Sequence, residues 1–367
     1  MRLDIVITEL DTGGAETFCV ELAKFLSHRG HRVRVIAIGA EPPTTHDRLY
    51  KDLIKQSIEI HFLGCCSVLD IAKATKRLKR LFELDPPEVV QSLLWHANVI
   101  TAYALGAKKI PLIGGVRVAD PRRWRFWFSR WYAKRMYKVV CVSRSIGDWC
   151  EQQERISPER LVVIPNGVDC ESVKTRATET VNHSAFQSKR NLLLFVGRLH
   201  EQKGIDVLIE RGDRLLTSLS DFDLVVVGDG PMRSRLESYR FSSLHRDRIH
   251  VVGQSDQVPS WMARSRLLIL PTRYEGMPNV ILEAMSLGKP VATMAVQGVE
   301  EVLGEQWAEQ AVPPNQWDAW ERLVLQLARN TDRCQRLGER NRERIKSEFE
   351  LASQLEQYES LYLSSIK

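Results

Sequence analysis

Short apolar runs alternate with helix-period segments along almost the whole chain. That alternation restricts a sequence to parallel α/β architecture, because each crossover returns the chain to the same end of a sheet. In the first half, Leu3 to Thr8, Arg32 to Ile38, Glu88 to Leu93, Pro111 to Val116, Lys138 to Val142 and Leu161 to Ile164 read as strands. Ala15 to His28 carries Phe18, Cys19, Leu22, Phe25 and Leu26 on one helical stripe and stops at Gly30. Residues Glu171 to Arg190 are polar and rich in Ser, Thr and Asn, the composition of a linker. Beyond them the alternation restarts, with strands at Leu192 to Val196, Leu224 to Val227, Ile249 to Val252, Arg266 to Leu270 and Val291 to Met294. The expected organisation is a first domain over 1–170, a linker over 171–190, a second domain over 191–351 and a last helix within 352–367.

A chain of 367 residues exceeds one ordinary core and suits two domains. Forty-four per cent apolar and 27% charged residues are globular proportions, and no apolar run approaches the length needed to span a bilayer. The strand that follows Met1 leaves no room for a signal peptide, and seven cysteines without C-x-x-C spacing suit buried thiols in a reducing compartment. A cytoplasmic protein is expected.

The chemistry concentrates at strand ends. Leu270-Pro-Thr-Arg-Tyr-Glu275-Gly-Met-Pro-Asn279-Val-Ile-Leu-Glu283 places two carboxylates eight positions apart where a strand passes into a helix. In an open parallel sheet, ligands lie outside the carboxyl ends of the strands, so both acids border a crevice. Gly197-Arg198-Leu-His-Glu-Gln-Lys203-Gly204 puts two cations between a strand and a helix N-terminus, an arrangement suited to a diphosphate. Asp221-Phe-Asp223 resembles a metal-binding D-x-D string but precedes a strand, at the wrong edge of the sheet, and reads as a turn; no metal site is expected.

With Gly13-Gly14-Ala15-Glu16, Ile164-Pro-Asn-Gly-Val-Asp169 and Gly228-Asp-Gly-Pro231 in the same order along the chain, these motifs resemble those of the retaining GT-B glycosyltransferases of family 4. The resemblance covers nearly the whole chain. It implies two Rossmann-like parallel-sheet domains facing a central cleft, and transfer of a hexose-type sugar from a nucleoside diphosphate donor to a glycan or lipid-linked acceptor, without a cofactor or metal. By that resemblance Arg198 and Lys203 stabilise the departing diphosphate, Glu275 lies beside the transferred sugar and Glu283 accepts from the ribose. Gly13, Gly14, Gly228, Gly276, Met277 and Asn279 would complete the donor site. Gly228 serves equally well as a strand-ending turn.

On the acceptor side, Leu94-Trp95-His96-Ala97-Asn98 follows a strand at its carboxyl end and resembles the family's acceptor segment. His96 can be a catalytic or a structural histidine. The chain departs from the family at Gly114-Gly-Val-Arg117-Val-Ala-Asp120, where many relatives carry a histidine. Arg117 and Asp120 stand there instead, and the identity of any protein base stays open. A GT-B sugar-nucleotide epimerase and a non-catalytic carbohydrate- or partner-binding protein are the alternatives. Nucleoside diphosphate release only in the presence of acceptor would separate transfer from the first, and the intact cationic pair argues against the second.

Net charge is only +6, yet Arg117 to Lys138 holds eight Lys or Arg and one acid among Trp124, Phe126, Trp127, Phe128, Trp131, Tyr132 and Tyr137. Residues 121–138 are therefore expected to contact an anionic membrane at its inner face; ordinary packing on the sheet is the bland alternative, and no nucleic-acid motif accompanies the stretch.

Overall fold

The protein is described by a computed structural model covering residues 1–11, 13–44 and 47–366, which divide into two units. The first comprises Met1–Pro165 and the chain from Gln354 onward; the second is Asn166–Ser353. The first unit opens with β1 (Arg2–Ile7), α1 (Gly14–His28), β2 (Arg32–Ala37), α2 (Arg48–Lys55), β3 (Glu59–Phe62) and α3 (Ile71–Leu84). It continues through β4 (Val89–Leu93), α4 (Trp95–Leu105), β5 (Leu112–Val116), α5 (Arg123–Ala133), β6 (Lys138–Cys141), α6 (Arg144–Gln152) and β7 (Leu161–Val163). All pairings are parallel, in the order β3-β2-β1-β4-β5-β6-β7. The chain thus winds outward from β1 in one direction and from β4 in the other.

The second unit repeats the plan. After α7 (Cys170–Arg176) and α8 (Ser184–Gln187) come β8 (Asn191–Val196), α9 (Ile205–Ser218), β9 (Phe222–Val227), α10 (Arg233–Ser242), β10 (Ile249–Gly253) and α11 (Val258–Arg264). Next are β11 (Leu267–Leu270), α12 (Asn279–Ser286), β12 (Val291–Met294), α13 (Val299–Leu303), β13 (Ala311–Val312), α14 (Trp317–Arg329) and α15 (Thr331–Glu348). Strand order is β10-β9-β8-β11-β12-β13, so here the winding reverses between β8 and β11. Leu192 to Phe195 and Leu267 to Leu270 are fully buried, as strands covered by helices on both faces must be.

Helix α16 (Leu351–Ser365) returns to the first unit. Tyr358 packs on Phe18 of α1 at a ring separation of 5.0 Å, and Tyr362 donates from its hydroxyl to Gln91 Oε1 at 2.9 Å. Glu359 accepts from His31 Nε2 at 2.7 Å and pairs with Arg29 at 3.1 Å.

The structure differs from the sequence reading at four places, one of them the two-residue edge strand β13, too short to read as an apolar run. Residues 171–190 are not an extended linker: they carry α7 and α8 and belong to the second unit, the change of unit falling between Pro165 and Asn166. A few well-spaced anchors suffice there. Asp169 Oδ1 caps α7 by accepting from Ser172 N at 2.8 Å, Val173, Val181 and Ala185 are buried, and Phe186 packs edge-on against Trp261. Strand β3 escaped notice because it lies at the sheet edge, half exposed and without a clean apolar run. Asp223 lies inside β9 rather than in a turn, buried at the amino end, 3.6 Å from both Arg190 Nη1 and His250 Nε2.

Candidate active site

Strands β8 and β11 flank the reversal of winding in the second sheet, and the loops leaving their carboxyl ends carry the residues singled out above. After β8 the chain makes a short 3₁₀ turn over Glu201–Lys203, capped by His200 Nδ1 accepting from Gln202 N at 3.0 Å. Gly204 then enters α9 in the left-handed conformation, φ +77°, with its Cα so close to the β11 loop that a Cβ would meet the Pro271 carbonyl oxygen at 1.9 Å. Only glycine permits that approach. It lets Lys203 reach across to Glu275, the Nζ donating to Oε1 at 2.5 Å.

Glu275 is buried, and Thr272 Oγ1 lies 2.9 Å from the same carboxylate oxygen and 3.0 Å from Gln202 O. Gln202 Nε2 donates to Tyr274 O at 3.0 Å, and Arg273 N donates to Gln202 O at 2.8 Å. Arg273 also grips Asp206, in the first turn of α9, through two hydrogen bonds of 2.8 and 2.6 Å. Burial raises the Asp206 pKa, but the Arg273 hydrogen bonds outweigh it and hold the carboxyl below its ordinary value. The two loops are thus sewn together by a partly buried ion pair and a bidentate one. Arg198, on the same β8 loop, is exposed. A partly buried cation at 203 beside an exposed one at 198, next to the positive end of α9, suits an anion of more than one charge.

Glu283 sits half-buried on α12 among fully buried Ile281, Leu282, Ala284 and Met285, which fix the helix against the sheet. Gly276 to Asn279 lead into α12, and Asn166 holds that lead-in by donating from Nδ2 to Met277 O at 2.9 Å and to Asn279 Oδ1 at 2.8 Å. Gly228 has a structural duty: at φ +140° its Cα abuts the loop after β8, and a Cβ would stand 2.0 Å from Gly197 O. Gln202, Thr272 and Asn166 were not selected from the sequence. The only signal was their place inside the motif strings, for what they contribute is contact across 70 to 113 positions.

In the first unit the reversal falls between β1 and β4. Gly13 caps α1 after β1, and its Cα lies beneath the Glu16 carboxylate. Burial, aided by Glu9 and Asp11, pushes the Glu16 pKa up to about 7 against the opposing pull of Arg117. Its only signal in the sequence is its place in Gly13-Gly14-Ala15-Glu16. After β4, Leu94 adopts φ +74° and ψ +158°, a conformation L-residues avoid, and hands the chain to α4. His96 follows, exposed to solvent; partial desolvation and the cations Arg125 and Arg122 lower its pKa, favouring the neutral ring.

The other acceptor-side expectations meet structural roles. Asn98 is fully buried, accepting from Ser92 Oγ at 2.7 Å and donating to Gly115 O at 3.0 Å, so it ties β4 to β5 and exposes no atom to an acceptor. Arg117 is buried, with its guanidinium 4.2 Å from the Phe18 ring centre. Asp120 accepts from Arg122 N at 3.0 Å and from Arg125 Nη1 at 2.7 Å, which organises the start of α5. Among the described residues no group of three or more His, Cys, Asp or Glu side chains could hold a metal ion, and no helix is long and apolar enough to cross a membrane.

Two family models match adjoining parts of the chain: Glycosyltransferase Family 4 over residues 12–172 and Glycosyl transferases group 1 over residues 177–344. The N-acetyl-alpha-D-glucosaminyl L-malate synthase of Bacillus anthracis is 23% identical over 100% of this chain and 98% of its own. An Escherichia coli UDP-Gal:alpha-D-GlcNAc-diphosphoundecaprenol alpha-1,3-galactosyltransferase is 24% identical over 65% of this chain. The match spans 63% of that enzyme's length, and 56 to 57% of two other relatives. The Anabaena protein HepE, solved in complex with UDP and glucose, superposes with a TM-score of 0.82 over 99% of this chain and 100% of its own at 17% identity. A Thermosynechococcus elongatus sucrose-phosphate synthase gives 0.79 over 99% of both chains, also at 17%. With two parallel sheets of the same winding and both halves matched in order, the chain belongs to the family 4, group 1 glycosyltransferases and has the GT-B fold.

Proposed function

We propose that this protein is a retaining glycosyltransferase that moves a hexose-type sugar from a nucleoside diphosphate to a hydroxyl of a glycan or lipid-linked acceptor, in the synthesis of a surface polysaccharide or glycolipid. The observation that carries the reading is the Lys203–Glu275 pair at the switch point of the second sheet, with Arg198 exposed on the same loop. Fixed cations at that edge stabilise charge that grows on a departing phosphate, and so act on the transition state more than on the ground state. The bond from the anomeric carbon to the diphosphate oxygen breaks with its electron pair on that oxygen. The acceptor oxygen bonds to the same face of the carbon, and its proton passes to the departing phosphate. Glu275, held by Lys203 and Thr272, orients the sugar; Glu283 takes the ribose hydroxyls. Cationic side chains do the work a divalent ion would do elsewhere. On the acceptor side, His96 contacts the incoming hydroxyl in this reading; its exposure and its lowered pKa support that role.

A UDP-sugar is the first donor to try, since the galactosyltransferase relative is named for UDP-Gal and HepE was solved with UDP. Incubation with UDP-, GDP- and ADP-sugars, with and without chelator, is the test. Acceptor-dependent release of nucleoside diphosphate that persists in chelator is expected. No turnover across the panel, release independent of acceptor, or loss of activity in chelator would count against the reading.

A further inference from the structure

Helix α3 packs on α4, and α4 on α5, so the three form a continuous layer on the first unit. Their contacts are partly aromatic, Trp95 meeting Trp124 at 5.3 Å and Tyr103 meeting Trp131 at 6.5 Å between ring centres. The rings do not end inside the layer. Trp124 is 56% exposed, Trp127 66% and Tyr103 69%. Water-facing helices rarely present so many large rings, and exposed apolar side chains in company mark an interaction surface. Arg123 stands in solvent at the start of α5, and Lys134 and Arg135 just past its end.

Helix α3 adds a second element that the sequence reading passed over. Lys73, Lys76, Lys79 and Arg80 are exposed along it, with Glu83 the sole acid in the helix. Leu69, just before it, is 92% exposed, and Leu84, its last residue, 72%. Cations with apolar tips on one layer narrow the choice of partner. A second copy of this chain, itself carrying +6, would set basic surface against basic surface. A nucleic acid would satisfy the cations but offers nothing to the exposed leucines. An anionic bilayer satisfies both, with tryptophan and tyrosine at headgroup depth and lysine and arginine against the lipid charge.

We propose that the α3–α4–α5 layer docks the first unit on an anionic lipid bilayer, Trp124 and Trp127 entering the headgroup region and the α3 cations facing the lipid phosphates. This stands apart from the transfer reaction and is measured without it. Co-sedimentation of the full chain with vesicles of phosphatidylcholine alone, or of phosphatidylcholine mixed with phosphatidylglycerol, should show binding only to the latter, lost at high salt. Replacing α3 charges together, Lys73→Glu, Lys76→Glu and Arg80→Glu, should weaken it on the order of a hundredfold or more. Trp124→Ser with Trp127→Ser should abolish the blue shift of tryptophan emission on vesicles. Circular dichroism and turnover on a soluble acceptor should be unchanged in both variants, because no substituted residue belongs to the candidate site. Equal binding to both vesicles, binding to neither, wild-type affinity of the α3 variant, or retention on DNA without vesicle binding would each overturn the proposal.

Discussion

Each sheet is parallel, has the same order of winding and contains one switch point, yet the two switch points are equipped differently. In the second unit the loops after β8 and β11 are bound to each other by Lys203–Glu275 and Arg273–Asp206, with Gly204 pressed against Pro271. In the first, the segments that follow β1 and β4, through the first turns of α1 and α4, carry the buried acid Glu16 of raised pKa, a strained Leu94 and the exposed His96 of lowered pKa. One edge is charged, paired and preorganised; the other is loosely furnished and proton-responsive. The contrast suits the proposed reaction, in which a diphosphate common to every nucleotide sugar would reward a rigid cationic cradle while acceptors differ.

The largest expected effect tests whether the second edge separates catalysis from stability. Arg198→Ala should lower turnover by about 3 kcal/mol of barrier, a hundredfold or more, and leave the melting temperature alone because the side chain is exposed. Lys203→Ala should lower both, since it strands the buried Glu275 carboxylate, at about 3 kcal/mol of stability. Equal melting temperatures for the two variants would show that the ion pair does not hold the loops together.

Next in size is a pH effect confined to the first unit. Glu154, buried between α5 and α6 near Ser129 and Cys150, has its pKa pushed by burial from 4.5 to about 7. The native state keeps that proton where the unfolded chain has lost it, so this contribution is fully present below pH 4.5, falls as pH rises and is gone above about 7. Glu154→Gln should remove about 3 kcal/mol of that pH-dependent loss. Amide exchange at β6 as a function of pH measures it, and an unchanged profile would mean that Glu154 ionises freely.

Two smaller substitutions compare buried asparagines. Asn98→Ala should destabilise the first unit by about 2 kcal/mol through the unsatisfied Gly115 carbonyl, without altering KM for either substrate. Asn166→Ala should instead raise the donor KM, because it releases the Met277 to Asn279 lead-in. A comparable loss is expected at Asp120→Ala, about 2 kcal/mol in denaturant unfolding: solvent screens its pair with the exposed Arg122, but the buried Arg125 loses its carboxylate.

Most strands were legible in the sequence within a residue or two, because buried parallel strands are written as continuous apolar runs and their helices as 3.6-residue stripes. The loops after β8 and β11 could be singled out for a related reason: they leave strand ends, and a strand end in a doubly wound sheet is the edge at which a ligand is expected. Acceptor-side expectations fared differently. Asn98, Arg117 and Asp120 have the chemistry of site residues, but nothing local tells whether a polar side chain at a strand end turns outward or is consumed by a neighbouring backbone.

What the chain determined by itself was therefore periodic or positional: two α/β units, the order of their motifs, and the loops on which charge would gather. Tertiary structure decided which polar atoms remain for a ligand. The Lys203–Glu275 pair joins residues 72 positions apart, Asn166 reaches Asn279 across 113, and α16 closes on β4 through Tyr362 and Gln91 across 271. A hydrogen bond or ion pair at such separation depends on the three-dimensional approach of two loops, which neither loop's own sequence specifies, and burial then sets the protonation of acids such as Glu16 and Glu154.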